Sequence, residues 1–172
     1  MDDGKRCGKN CNGSTTKNAI VYFPQGTYLV SGVIPVYFGT QLVGDATNWP
    51  TILASSKFIG TAVLSTDEYT GGGKGIDGGD QEWYVNTASF YRQIRNFKID
   101  ITQTRSAQEV ACVHYQVGQA TSLQFVELIA KSGTKQRGIG KQRHYSKIEN
   151  DQGLKETSRG EWFWRCTCRH NF

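Results

Sequence analysis

The sequence lacks a long apolar run, helical periodicity and a cluster of acidic residues. No stretch approaches the roughly 18 apolar residues of a membrane-spanning helix, and the charged N-terminus MDDGKRCGKN is not followed by the apolar core of a signal peptide. Apolar residues nowhere recur with the period of an amphipathic helix. The sequence therefore predicts neither a membrane span nor an export signal nor a helical core. The lack of an Asp cluster also argues against calcium-dependent or paired-acid chemistry.

The positive charge is concentrated near the end of the chain. The net charge is +5 over 172 residues, and residues 141–172 hold seven Lys and Arg against four Asp and Glu. The preceding residues are nearly neutral and form no basic patch interleaved with aromatics. A chain of this length suits one domain, and the charge distribution argues against nucleic acid as a partner.

Two familiar-looking motifs do not fit the chemistry they suggest. Cys166-x-Cys168-x-His170 leaves one residue between the two thiolates and has no evident fourth ligand, unlike structural zinc sites. GKGIDG (73–78) formally fits GxGxxG, but no helical pattern follows it to meet a pyrophosphate, so a surface loop is expected there. We therefore expect no metal and no cofactor.

The remaining cysteines suggest an extracellular ancestry. Cys7 and Cys11 enclose a short turn-forming loop that a disulfide would close, and Asn12 begins an N-glycosylation acceptor, Asn-Gly-Ser. Both features favour a secreted protein, although two exposed thiols and a chance tripeptide are the alternative. Cys112 lies alone in a strand-like run and is expected to be a small core residue.

The first 139 residues read as a series of short β-strands rich in β-branched and aromatic side chains. The candidate strands are AIVYF (19–23), TYLVS (27–31), VIPVY (33–37), TQLVG (40–44), TILAS (51–55), TAVLS (61–65), FYRQIRNFKIDIT (90–102), VACVHYQVGQ (110–119) and LQFVELIA (123–130). The later runs recur at about 20–25 residues, the rung length of a parallel solenoid. A β-sandwich would require tighter hairpin turns, so the pattern favours an all-β parallel β-helix.

Three blocks in this order resemble glycoside hydrolase family 55, mostly fungal exo-β-1,3-glucanases: IVYFPQGTYLVSG…TQLVGDATNWPTILAS (20–55), FYRQIRNFKIDIT (90–102) and VHYQVGQATSLQ (113–124). The resemblance runs from about Arg6 to Ile139. It implies part of the first of two pectate-lyase-like right-handed β-helices, with a catalytic glutamate that lies in the second. We divide the chain into an N-terminal loop segment (1–18), a partial β-helix (19–139) and a divergent, irregular tail (140–172).

The resemblance also indicates where a sugar site would lie. In the family, amides and a hydroxyl from the first β-helix help to position the water of an inverting reaction, and VHYQVGQATSLQ is similar to the segment that supplies the amides. Gln116 and Gln119 are the candidates, because an amide offers both a donor and an acceptor. His114 is a candidate cleft residue on the same face as Gln116, and Tyr115 is expected in the core. Glutamines on the solenoid surface and a structural histidine are the alternatives.

The tail departs from the family after Ile139. The codons allowed by GEWFWRC (160–166) can, shifted by one nucleotide, encode Glu-Asn-Gly-Ser-Gly-Asp-Val, which resembles the family's continuation. We hypothesise that residues 140–172 are a retained intron followed by an out-of-frame exon.

The sequence thus predicts a fragment of a glucan exo-1,3-β-glucosidase, inactive alone, with β-1,3-glucan or a related cell-wall polysaccharide as partner and an extracellular location implied by the family. A non-catalytic polysaccharide-binding β-helix is the first alternative. A pectin-active relative of the same fold is the second, since fold alone does not decide function.

Overall fold

The computed structural model describes residues 19–37, 39–66, 91–116 and 120–140, together with the backbone of 69–74, 80–82, 155–156 and 161–169. The regular structure in these residues is all β. The strands are β1 (Ala19–Phe23), β2 (Thr27–Pro35), β3 (Thr40–Gly44), β4 (Thr51–Ser65), β5 (Tyr69–Lys74), β6 (Asp80–Glu82), β7 (Gln93–Asp100), β8 (Ala111–His114), β9 (Ser122–Lys131), β10 (Arg137–Gly140), β11 (Lys155–Glu156) and β12 (Glu161–Arg169). No helix in the described part of the chain is long and apolar enough to cross a membrane.

Parallel pairing arranges the strands into three stacked faces. Face A contains β1, β3 and the first parts of β7 and β9. Face B contains the first parts of β2 and β4 and the second parts of β7 and β9. Face C contains the last parts of β2 and β4, followed by β8 and β10. The chain visits the faces in the order A, B, C and then repeats.

Four rungs of this winding are described, and they cover residues 19–35, 40–65, 93–114 and 122–140. Each strand pairs with the equivalent strand of the next rung, which is the arrangement of a partial parallel β-helix. The ladder stays open rather than closing on itself. The predicted fold class is confirmed.

The core lies between the three faces because each rung contributes an apolar residue at the same register position. On face A the inward column is Val21, Leu42, Ile94 and Leu123. On face B it is Tyr28, Ile52, Ile99 and Leu128. On face C it is Ile34, Leu64, Val113 and Ile139. The residues of the two inner rungs are fully buried, and each such side chain stabilises the fold by about 1.5–3 kcal/mol.

The corner between faces A and B is tight in the last two rungs. Asn96 and Phe125 each make the turn alone, with positive φ angles of 61° and 53°. The side-chain amide of Asn96 donates a hydrogen bond to the carbonyl of Gly44 at 3.2 Å, and a Cβ on Gly44 would collide with the carbonyl of Asn96 and with Pro50. A glycine is therefore required at position 44.

The predicted strands are confirmed with adjusted bounds. The paired runs 27–31 and 33–37 form one strand, β2, and 51–55 and 61–65 form one strand, β4. Part of the expected Gly-rich loop is instead strand β5, which pairs antiparallel with β6. Backbone pairing needs no side chain, so glycine content does not exclude a strand.

The tail leaves the parallel winding after β10. In its described part, β12 pairs antiparallel with β9, and β11 pairs antiparallel with β12. A fifth rung of the solenoid would instead run parallel to its neighbour. The boundary at residue 140 and the hypothesis of a mistranslated tail stay predictions.

Candidate functional site

The predicted site residues lie where β8 ends and the chain leaves face C. Thr66, at the end of the neighbouring rung, holds this strand end through several hydrogen bonds. Its hydroxyl accepts from the backbone N–H of Gln116 at 2.7 Å and lies 2.8 Å from the Gln116 carbonyl. Its own backbone N–H donates to the carbonyl of His114 at 3.0 Å. The backbone of 114–116 is therefore fixed by a buried threonine.

His114 is half-buried, and its surroundings favour the neutral imidazole. Its Nδ1 lies 3.3 Å from the hydroxyl of Ser65, its partner in the parallel ladder. Burial lowers the pKa of the imidazole below its usual value, because a low-dielectric surrounding disfavours the charged form. On the other side, His114 pairs with Gly140, whose missing side chain leaves the ring edge uncrowded. A neutral imidazole in this position can either donate or accept a hydrogen bond.

Tyr115 points the other way and packs against the hydrophobic core. Burial raises the pKa of its phenol well above the usual range. The expectation that it is a core residue rather than a sugar platform is confirmed. Cys112 is likewise a buried free thiol, as expected.

The structure brings together His114 and Gln116 of the predicted set. Gln119, Cys7, Cys11 and Asn12 lie outside the described residues, so their roles stay predictions. Among the residues that are described, no group of His, Cys, Asp or Glu is arranged to hold a metal ion.

The described groups at this strand end are two hydroxyls, a neutral imidazole and an amide. These groups donate and accept hydrogen bonds without carrying a full charge. Ser65 and Thr66 are buried, and the Thr66 hydroxyl already bonds the backbone of Gln116, so the imidazole and the amide are the groups that could bond a neutral, hydroxyl-rich ligand or a water molecule. We call this set the His114 strand end.

Comparison with known proteins decides the family. Residues 2–168 match the family model "Rhamnogalacturonase A/epimerase, pectate lyase-like". The chain belongs to this pectate lyase-like family. The fold of the described residues agrees with that membership, since they wind as stacked parallel strands.

Relatives of this pectate lyase-like chain come from fungi. It is 44% identical over 142 residues to a probable glucan endo-1,3-beta-glucosidase of Arthroderma benhamiae, covering 81% of this chain and 15% of that protein. It is 34% identical over 129 residues to a glucan 1,3-beta-glucosidase of Cochliobolus carbonum, covering 74% and 16%. It is also 45% identical over 140 residues to the non-secreted LysM effector LysM19 of Penicillium expansum, covering 80% and 10%. The resemblance to glycoside hydrolase family 55 is confirmed.

Sequence reasoning missed a second polar site of this pectate lyase-like chain. A groove lies outside the corner between faces A and B, and Trp49, Lys98 and Glu127 are among its lining residues. None of the three residues stands out from its neighbours in the sequence. The signal that the sequence offers is TNWP (47–50), a Trp among polar and turn-forming residues.

Proposed function

We propose that the chain is part of a glucan 1,3-β-glucosidase-type hydrolase and that the His114 strand end helps to orient β-1,3-glucan or the attacking water. The observation that carries the proposal is the 44% identity, over 81% of this chain, to a protein named as a probable glucan endo-1,3-beta-glucosidase. The uncharged donors and acceptors at the strand end are consistent with a neutral polysaccharide. The proposal also includes an extracellular cell-wall glucan as substrate and an exo mode of attack, both taken from the resemblance to glycoside hydrolase family 55 and not from the relative named above.

The proposed chemistry is inversion at the anomeric carbon. In that mechanism a carboxylic acid protonates the leaving oxygen while a water molecule attacks from the opposite face of the sugar and gives its proton to a general base. The amide nitrogen of Gln116 would hold the water, because the amide oxygen is buried, and His114 would contribute a second hydrogen bond. The chain spans 10–16% of the length of the three relatives described above, and we propose that the general acid belongs to the longer protein. Hydrolysis by these 172 residues alone is therefore not expected.

Retention of the protein on insoluble polysaccharides tests this proposal. The full chain is expected to bind β-1,3-glucan and to release no glucose from it. Gln116→Leu removes the amide at nearly constant volume and should weaken binding by about five- to tenfold, as expected for one well-placed hydrogen bond. Gln93→Leu is the matched control, because Gln93 is a partly exposed glutamine on face A. Equal binding by both variants, or no binding by the unmodified chain, would contradict the proposal.

A non-catalytic polysaccharide-binding module is the second candidate. It is favoured by the 45% identity to a protein named as an effector rather than a hydrolase. Sequencing the transcript across the codons for 130–172 separates the two. Splicing at Gly140 into the Glu-Asn-Gly-Ser-Gly frame supports a longer hydrolase, whereas a retained segment supports a stand-alone module. Retention on pectin instead of glucan would favour the pectin-active alternative.

A further inference from the structure

A groove of about 580 Å³ lies on the outer side of face B, beside its corner with face A. One column of the parallel ladder forms its floor: Thr27, Thr51, Lys98 and Glu127 occupy the same register position in successive rungs. Because neighbouring strands are about 4.8 Å apart, the column is about 14 Å long. The groove therefore runs across the rungs and offers hydroxyl, ammonium and carboxylate groups in a row.

The two charges on the floor neutralise each other. Lys98 Nζ lies 3.7 Å from a carboxylate oxygen of Glu127, whose side chain is only 9% exposed. Both side chains point outward because their strand neighbours Phe97, Ile99, Val126 and Leu128 are buried in the core. Among the side chains that the structure describes, the floor pairs one ammonium with one carboxylate and carries no net charge, which suits a neutral ligand better than an anionic one.

Trp49 is the aromatic residue of the groove rim. Its ring centroid is 6.4 Å from that of Phe125, which does not itself line the groove, at an interplanar angle of 54°. Phe125 is 47% exposed and has a φ angle of 53°. This conformation is the tight corner turn that Asn96 also makes in the preceding rung, and it places an aromatic ring near Trp49.

The loop that carries Trp49 is held in place by Asp45. One carboxylate oxygen of Asp45 accepts from the backbone N–H groups of Thr47 and Asn48, both at 2.8 Å. The other accepts from the hydroxyl of Tyr22 at 3.0 Å. These hydrogen bonds lower the pKa of the carboxyl group. The aromatic rim is thus presented by a loop whose backbone is tied to rung one.

We propose that this groove binds an oligosaccharide segment of a neutral β-glucan, with Trp49 stacking on a sugar ring and Thr51, Lys98 and Glu127 bonding its hydroxyls. The proposal rests on the proposed function for the choice of glucan. It adds a second site, because the groove lies at the corner between faces A and B, whereas the His114 strand end follows face C. The groove would hold the polymer to the chain independently of the water-positioning residues.

Titration calorimetry of the full chain with a β-1,3-linked glucose hexasaccharide tests the groove. Trp49→Ala should weaken binding by at least about tenfold, as expected for an aromatic anchor, and Trp49→Phe should restore most of the loss. Glu127→Gln should weaken binding about three- to fivefold, because a charged acceptor becomes a neutral one. Tyr91→Ala is the control, since Tyr91 is an exposed aromatic residue that does not line the groove. Far-UV circular dichroism checks that each variant is folded.

Three results would overturn the inference. If Trp49→Ala and Glu127→Gln bind like the unmodified chain while Gln116→Leu binds weakly, the groove is not a glucan site and the proposed function stands. If the unmodified chain binds no glucan, the proposed function fails and the groove assignment fails with it. If polygalacturonate binds to the groove more tightly than the glucan hexasaccharide, the argument from the neutral Lys98–Glu127 floor is wrong.

Discussion

Removing the Phe97 ring should destabilise the β-helix far more than removing the Phe125 ring. Phe97 is fully buried in rung three, and its ring contacts Phe23 edge-on with centroids 5.1 Å apart. A buried Phe→Ala change costs about 3–5 kcal/mol through lost burial and the cavity left behind. A whole domain is stable by only about 5–15 kcal/mol. The change should therefore lower Tm by roughly 10 °C, at about 2–4 °C per kcal/mol for a chain of this size.

Urea unfolding followed by far-UV circular dichroism measures the effect. Phe125→Ala makes the same chemical change at a ring that is 47% exposed, and it should cost less than about 1 kcal/mol. Phe97→Leu keeps most of the volume and should cost less than about 1.5 kcal/mol. If Phe97→Ala and Phe125→Ala have equal effects, rung three does not have the core that its register implies, and the inward assignment of Phe97 is refuted.

Substitutions at two positions and one labelling experiment probe other parts of the described structure. Burial lowers the pKa of His114 from its ordinary value of 6.5, so the unfolded chain binds a proton more readily than the folded chain, and stability should fall as pH drops below about 6.5. His114→Asn should reduce this dependence of stability on pH, measured by urea unfolding at several pH values. An unchanged dependence would contradict the burial of His114. Asn96→Ala should lower the free energy of unfolding by about 2–3 kcal/mol, because it loses a buried hydrogen bond and places alanine at a positive φ angle. Asn96→Gly should lower it by only about 1 kcal/mol, because glycine adopts that φ angle freely. Equal shifts in Tm would show that the φ angle is unimportant. The buried Cys112 thiol, whose pKa is raised mainly by desolvation, should resist alkylation until the chain unfolds, and labelling of the native protein, mapped by mass spectrometry, would contradict its packing.

The strands were predictable because their signal is local. Alternation of apolar and polar residues decides which side of a strand faces the core, and Val21, Leu42, Ile94 and Leu123 each sit in such a run. Turn residues between the runs marked the corners. Where the structure differs, at β2 and β4, each pair of runs is one strand, although the register between the two strands shifts on both sides of Gly32.

The His114 strand end was predictable only through the resemblance. Alternation placed His114 and Gln116 on one face and Tyr115 in the core, and the structure confirms the burial of Tyr115. The hydrogen bonds from Thr66 to this segment were not predictable. They join residues about 50 positions apart. Whether the two residues meet depends on where the intervening segment rejoins the same face of the β-helix, and the local sequence does not determine that.

The groove shows most clearly what a linear sequence conceals. The groove floor is one register column made of Thr27, Thr51, Lys98 and Glu127. The corners between faces A and B that precede these residues differ in length, from a single residue at Asn96 and Phe125 to the loop at 45–50, so the alignment of the four residues cannot be read from their spacing in the sequence. A one-residue change of register in β7 would turn Lys98 toward the core and Phe97 toward solvent. The core that fixes the register therefore also fixes the groove. The backbone under the floor is held by strand pairing at Lys98 and Glu127, and such preorganisation lowers the entropic cost of binding a flexible polysaccharide.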